Sequence, residues 1–392
     1  MTSRAPGADG DYLRFKNIFP LLAQTCDITL LYLDAHQSVE YFEVFSSYFE
    51  EAAYLHYQPM MPTRSARVLD FLTFQSEHAL YRRDPDLRAK VTQLVSDTIK
   101  RKRIDLILSW VRSAEQFLKQ ATVPVLFDLC DALSLQLYRE LRNQPSPRNY
   151  LYYQRIKHFE SGIVAQYPVT FVSQNDANWF ERRLDASVIP NGVDLTSVCK
   201  PGQCQESGSI VFSGAMGFKP NVEAVLNFAD AVLPSITARY PRLTWYIVGT
   251  NPAREILDLR QRPNLVVTGK VDSIAEYICR AQVVICPMIS GSGIKNKVLE
   301  AMALQRPVVS TRLGVEGIMC TNGENVLIAD HPLEFANAVL RLLGDEGERQ
   351  RLAIAGRQLV ATHYTWTETT RRYEALFDRL IHEHTTTNRT LR

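Results

Sequence analysis

Gly291, Gly293, Lys295, Lys297 and Glu300 fall within one short stretch, and residues of these types at this spacing could hold a nucleoside diphosphate. Glycines let the backbone come close to a ligand with its amides turned toward it. A helix opening just after them adds partial positive charge, and Lys295 and Lys297 add two full charges. Glu300 lies four residues after Asn296, hence on the same helix face, where a carboxylate can take the two hydroxyls of a ribose. By spacing alone, a tight turn before an amphipathic helix with solvated lysines explains the stretch equally well. The next segment shifts the balance. Arg306-Pro307-Val308-Val309-Ser310-Thr311 reads as a short strand, and Gly314-Val315-Glu316-Gly317 follows at its end. Two consecutive glycine-bearing loops flanking one helix build a pocket.

Such loops need a sheet to carry them. Strands are predicted at 209–214, 243–249, 265–269, 283–288, 307–311 and 325–330, short and apolar almost throughout, as suits parallel strands covered on both faces. Helices are predicted between and after them at 221–239, 252–260, 273–280, 296–304 and 332–343, giving a doubly wound α/β sheet. Two more follow at 348–362 and 367–381. The first half repeats the theme less regularly. Its strands are predicted at 27–33, 53–57, 105–110, 123–129 and 169–173, and its helices at 12–24, 86–102 and 150–165. The turn Ile189-Pro190-Asn191-Gly192-Val193-Asp194 and the polar stretch after it separate the halves. The expected domains are 1–190, a hinge at 191–208, 209–365, and a last helix at 366–385.

The chain has 392 residues, enough for two cores, and a net charge of only +2, too little excess for a general nucleic-acid binder. No run reaches the roughly 18–20 apolar residues of a membrane-spanning helix, and residues 1–11 lack a secretory core, so a cytoplasmic setting is expected. The seven cysteines are scattered without zinc-ligand spacing and read as free thiols in a reducing compartment. No bound metal is expected. Lys100-Arg101-Lys102-Arg103, within the basic stretch 64–103, could rest on an anionic membrane at the inner face of the plasma membrane, or could simply be solvated at a helix end. Asp128 and Asp131 end a predicted strand. They could serve as a general base, and Asp131 could equally cap the helix that follows.

Taken together, the motifs of the second half resemble the donor signature of glycosyltransferase family 4: Gly-Ser-Gly-Ile-Lys-Asn-Lys-Val-Leu-Glu-Ala-Met-Ala, Arg-Pro-Val-Val-Ser-Thr and Gly-Val-Glu-Gly, with Ile-Pro-Asn-Gly-Val-Asp at the hinge and Ser213-Gly214-Ala215-Met216 with Pro220-Asn221. The match runs from about Val188 to Tyr373. Phe127 to Ser134 and the later Phe159-Glu160 resemble the branch associated with PEP-CTERM/exosortase exopolysaccharide systems. The resemblance implies a GT-B fold, two facing Rossmann-like domains with a donor/acceptor cleft between them. It further implies a retaining transfer from a nucleotide-diphosphate sugar to an acceptor hydroxyl, glycan or lipid-linked, without a metal or other cofactor. Lys295 and Glu300 would stabilise the donor and its leaving group. Gly214, Asn221, Gly291, Ser292, Gly293 and Lys297 would line the donor site, and Gly10, Arg14, Asp128 and Asp131 the acceptor side.

Three departures qualify this. The position eight before Glu300, where the family carries a second glutamate, is Ser292. No histidine follows the strand at 105–110, where Arg112 or Glu115 could substitute or lie on a helix surface, so the catalytic base is unassigned. The loop-like segment at 6–10 has no strand before it. A catalytically degenerate binding or scaffold protein of the same architecture, or a sugar-nucleotide 2-epimerase, are therefore the competing readings. A dinucleotide-dependent oxidoreductase fits worse, since no Gly-x-Gly-x-x-Gly follows an early strand.

Overall fold

The computed structural model describes residues 10–34, 46, 49, 51–56, 85–181, 185–199 and 205–390. The predicted glycine loop at 6–9, the segment 1–5 before it and residues 64–84 of the basic stretch lie outside them. The chain divides into two compact units, residues 1–189 with 369–392, and residues 190–368.

In the first unit, β1 (Thr29–Asp34) pairs in parallel with β2 (Glu51–His56). A second parallel sheet has the order β3 (Ile107–Ser109), β4 (Val125–Cys130), β5 (Pro168–Phe171), β6 (Asp185–Val188). Every residue of β4 is buried, and Phe127 and Phe171 anchor a core completed by Val91, Val95 and Ile163 from the covering helices. β6 is not among the predicted strands, because its residues are all only partly buried and lack an apolar run. The Leu133–Asn143 helix is likewise unpredicted, since Leu135 alone is a buried large apolar residue there.

In the second unit six parallel strands take the order β12-β11-β10-β7-β8-β9, where β7 is Ser209–Ser213, β8 Thr244–Val248, β9 Leu265–Gly269, β10 Val283–Cys286, β11 Val308–Ser310 and β12 Leu327–Ile328. From β7 the order runs through β8 and β9 on one side and through β10, β11 and β12 on the other, the doubly wound arrangement in which strand order reverses between β7 and β10. β7 and β10 are fully buried, which explains their unbroken apolar character. The long helix predicted at 221–239 is three pieces: an α-helix at Lys219–Asn227, a π-turn at Phe228–Val232 and an α-helix at Leu233–Thr237. Pro234 is the reason, because it has no amide to give the preceding turn.

Cys199 and Cys279 form a disulfide, their Cα atoms 5.4 Å apart, which corrects the free-thiol expectation for these two. Cys26, Cys130, Cys286 and Cys320 are free thiols. Cys204 lies outside the described residues. Among the described residues no helix is long and apolar enough to cross a membrane.

The Trp366–Thr390 helix starts in the second unit and belongs to the first from Thr369 onward. There Tyr373, Leu376 and Leu380 are buried, and Arg379 pairs with Asp185 at 2.7 Å.

Candidate functional site

Where strand order reverses, the loops leaving adjacent strands part in opposite directions and leave a crevice at the carboxyl ends. Here those loops follow β7 and β10, and they carry most of the residues singled out for the donor.

The loop after β10 turns through Gly291 and Gly293, with φ of 107° and 65°, a region L side chains disfavour. It delivers the chain to the Asn296–Ala303 helix through Lys295, whose extended backbone (φ −91°, ψ 93°) offers the first turn no side-chain cap. Lys295 is 9% exposed, and its Nζ donates to the carbonyls of Ser292 (2.8 Å) and Gly293 (2.7 Å). It thus fixes the curvature of its own loop. Asn296 Oδ1 accepts from Asn191 Nδ2 at 3.0 Å, tying the Pro190-Asn191 turn to the same helix end.

Lys297 reaches the neighbouring loop. Its Nζ donates to Asn221 Oδ1 at 2.7 Å and sits 3.8 Å above the centre of the Phe212 ring. Asn221 Nδ2 in turn holds the Ala215 carbonyl at 3.0 Å. Gly214 closes this group: with φ at 153°, a Cβ there would stand 2.8 Å from Asn221 Nδ2 and 3.0 Å from Lys297 Nζ. Burial pushes the Lys297 ammonium down to about 8, with Cys286 opposing and Lys295 adding to the shift. Burial also pushes the Glu300 carboxyl up, against the pull of Lys297. Glu300 makes no side-chain hydrogen bond among the described residues, and so keeps its acceptor capacity.

The second glycine loop is braced against the first. Thr311 Oγ1 donates to the Met288 carbonyl at 2.7 Å and accepts from the Gly314 amide at 3.1 Å, while Ser310 Oγ donates to Cys286 O at 3.1 Å. The site thus offers backbone amides, a partly buried ammonium and an unengaged carboxylate. Those groups could hold a diphosphate and a diol. Among the described residues no group of three or more His, Cys, Asp and Glu could hold a metal ion.

The residues singled out in the first half meet a different environment. Arg14 and Asp128 come together, both 1% exposed, with Nε to Oδ2 at 3.0 Å. Tyr373 Oη, which accepts from Arg14 Nη2 at 2.5 Å, donates to the same Asp128 oxygen. Asp128 Oδ1 accepts from the Cys130 amide at 3.0 Å, and Arg14 Nη2 also donates to the Ile189 carbonyl at 2.9 Å. Both charges are therefore satisfied inside the fold. Gly10 is the first residue of the Gly10–Leu22 helix that carries Arg14.

Asp131 does not cap the following helix, which corrects that alternative. Glu160, fully buried, caps it from another helix: its oxygens accept from the Leu133 amide at 3.1 Å and the Ser134 amide at 2.9 Å. Arg112 is not a helix-surface residue either. Its guanidinium donates to Glu160 Oε1 at 2.9 Å and to the carbonyls of Leu129 and Asp131 at 2.8 and 2.5 Å. Glu115 is buried and pairs with Lys119 at 3.1 Å. Nothing in the sequence marks Tyr373 or Glu160 as a site-forming residue. Their partners are too distant in sequence for spacing to betray them.

Residues 207–345 match the family described as glycosyl transferases group 1. An uncharacterized 44.6 kDa protein in the cps region of Klebsiella pneumoniae is 25% identical over 140 residues, 34% of this chain and 36% of that protein's length. The whole fold resembles Anabaena HepE, solved with UDP and glucose (TM-score 0.66, 14% identity, 96% of this chain and 98% of that one). It also resembles sucrose-phosphate synthase from Thermosynechococcus elongatus (TM-score 0.68, 16% identity, 96% and 94%) and WaaG, a glycosyltransferase involved in lipopolysaccharide biosynthesis (TM-score 0.61, 11% identity, 95% and 96%). Residues 207–345 thus carry the resemblance to the group 1 glycosyltransferases, and the parallel, helix-covered sheets of both units give the chain the GT-B fold.

Proposed function

We propose that the protein is a retaining hexosyltransferase that moves a sugar from a nucleotide-diphosphate sugar to an acceptor hydroxyl. The observation that carries this reading is the grouping of Gly214, Asn221 and Lys297 beside the Gly291–Gly293 loop and Glu300, at the point where strand order reverses. In the transfer, the bond from the sugar's anomeric carbon to the diphosphate oxygen breaks, a bond to the acceptor oxygen forms, and the acceptor hydroxyl gives up its proton to the departing diphosphate. Negative charge grows on the departing diphosphate. Amides of the 291–295 loop and the Lys297 ammonium answer that charge, and preorganised groups of this kind are where such catalysts gain most. Lys295 holds the loop in register, Ser292 lies beside it, and Glu300 receives the ribose hydroxyls.

HepE with UDP-glucose, WaaG in lipopolysaccharide biosynthesis and the cps-region relative support a role in cell-surface or exopolysaccharide synthesis, on a glycan or lipid-linked acceptor. The PEP-CTERM/exosortase branch rests on Phe127 to Ser134 and Phe159-Glu160. Arg14 and Asp128 would shape the acceptor side by holding the chain, since neither is open to a ligand here.

Titration with UDP, GDP, UDP-glucose and GDP-mannose, followed by donor turnover with lipid-linked acceptors, tests the reading. Lys297→Ala and Glu300→Ala should each weaken nucleotide binding at least about tenfold with folding retained. Binding unaffected by both would refute the assignment. Tight binding without turnover on any acceptor would favour the scaffold.

A further inference from the structure

At the edge of the second unit's sheet opposite the donor loops, just before β10 and β11 begin, Gln282, Arg306 and Pro307 line a cleft of about 920 Å³ against the Glu346–His363 helix. This size is typical of small-molecule sites. The helix presents Arg349, Ala353 and Arg357 at four-residue steps, hence on one face, and all three line the cleft. Arg349 is 9% exposed, and its Nη1 donates to the carbonyls of Leu342 and Leu343 at 2.6 and 3.2 Å. Its Nε and Nη2, the edge that forms a fork, make no hydrogen bond among the described residues and are not shielded from solvent. Arg357 gives its two Nη groups to the carbonyls of Ala303 and Leu195, which leaves its Nε unengaged. Arg306 adds a third charge from the wall, its Nη2 donating to the Cys279 carbonyl at 2.8 Å. Among the described residues none of the three pairs with a carboxylate, and the acid that lines the cleft, Glu346, accepts from Gln350 at 3.1 Å. The helix ends that these arginines hold offset about half a charge each, so the cleft is left positive. Beside the guanidiniums, Pro307 and Ala353 are buried and Ile354 is 55% exposed, an apolar surface at the mouth.

We infer that the cleft is a second binding site, for a small molecule that carries a phosphate or carboxylate on an apolar body. Two oxygens of such a group match the Arg349 fork, and the third nitrogen of that guanidinium is already fixed, so little freedom is lost when the ligand arrives. Arg357 and Arg306 supply charge beside it, and Pro307 and Ile354 the contact for the body. The site shares no residue with the donor crevice and does not rest on the donor reading. It meets the donor helix at its far end: Ala303, which Arg357 holds, closes the helix whose first turn carries Lys297.

The test is calorimetric titration of the full chain with phenyl phosphate and with benzoate, read alongside hydrogen exchange. Each probe offers one of the two oxyanions on the same apolar ring. At least one should bind and slow exchange across residues 349–357, and the one that does names the oxyanion. Lys297→Ala should leave that affinity within about twofold, whereas Arg349→Lys, which keeps the charge and loses the fork, should weaken it at least about fivefold. Ile354→Glu sets a carboxylate at the exposed mouth without touching a helix end and should weaken binding comparably, so the test stands even where the Arg349 variant fails to fold. Binding that is lost in Lys297→Ala and leaves 349–357 unprotected would return the anion to the donor crevice and overturn the site. Full affinity in both cleft variants would overturn it too, as would failure of either probe to bind at millimolar concentration.

Discussion

Lys297 is held where its charge is costly until an anion arrives. Burial between the ends of β7 and β10 pushes it down to about 8, whereas an ordinary lysine titrates near 10.5. Between those values the folded chain has shed a proton that the unfolded chain keeps. This group therefore raises stability as pH climbs from about 8 toward 10.5, and below 8 its charge is carried at a cost. Ligand affinity runs the other way, because a diphosphate needs the ammonium. Affinity for UDP, or whichever nucleotide binds, should hold up to about pH 8 and fall above it. Binding near pH 8 should also take up a fraction of a proton, visible as a buffer-dependent calorimetric heat. Lys297→Met should abolish that uptake. Gly214→Ala tests the same spot by shape: with its φ at 153° and the Lys297 and Asn221 head groups at 3.0 Å or less, the methyl group must displace both. Nucleotide binding should drop at least about tenfold while melting shifts only modestly.

At the scale of elements, two buried networks fix how strand ends and helices meet in the first unit. Arg14, Asp128 and Tyr373 join the first helix, β4 and the last helix without access to solvent. Removing one member of a buried pair strands the other, at a cost of about 3–5 kcal/mol. Arg14→Met should therefore destabilise the first unit by about that much in urea unfolding, and Tyr373→Phe, which deletes one hydroxyl, by about 1–3 kcal/mol. Equal, small effects would mean the network is not formed in solution. These same contacts mark the limit of what sequence could disclose. The strands of the second unit were legible because burial on both faces leaves an apolar run, and the donor loop because glycine, lysine and glutamate sit at local spacings a helix enforces. Tyr373 is 245 positions from Asp128, and Glu160 caps a helix 26 positions before it. Cys199 pairs with Cys279 across 80 positions. Such pairings depend on how the chain returns, which no periodicity records. The disulfide also invites a test: reduction should cost up to about 4–5 kcal/mol if loop-closure entropy dominates, lowering the melting of the second unit and not the first.

The whole molecule is two units whose chain is not consecutive, since the first is completed only by residues beyond Thr369. Val193 bridges to Thr365, and a Cβ on Gly192 would stand 2.4 Å from the Trp366 amide, so the outgoing and returning segments pass in contact within the second unit. That arrangement makes the two units unequal in what they need. Residues 190–368 carry the complete six-stranded sheet and all the candidate donor residues. The first unit, by contrast, depends on Tyr373, Leu376 and Leu380 from the last helix, with Tyr373 closing the Arg14–Asp128 pair. A chain ending after Glu368 should therefore lose the cooperative unfolding of its first unit and expose apolar surface there, while the second unit still melts as a unit. Saturating nucleotide should still stabilise that second transition, by about 2.7 kcal/mol at a hundredfold excess over Kd, because the ligand's partners survive the cut. Calorimetry of the full and shortened chains, with and without nucleotide, separates the cases. Loss of the nucleotide-dependent transition on truncation would show that the donor groups need the first unit to stay in place.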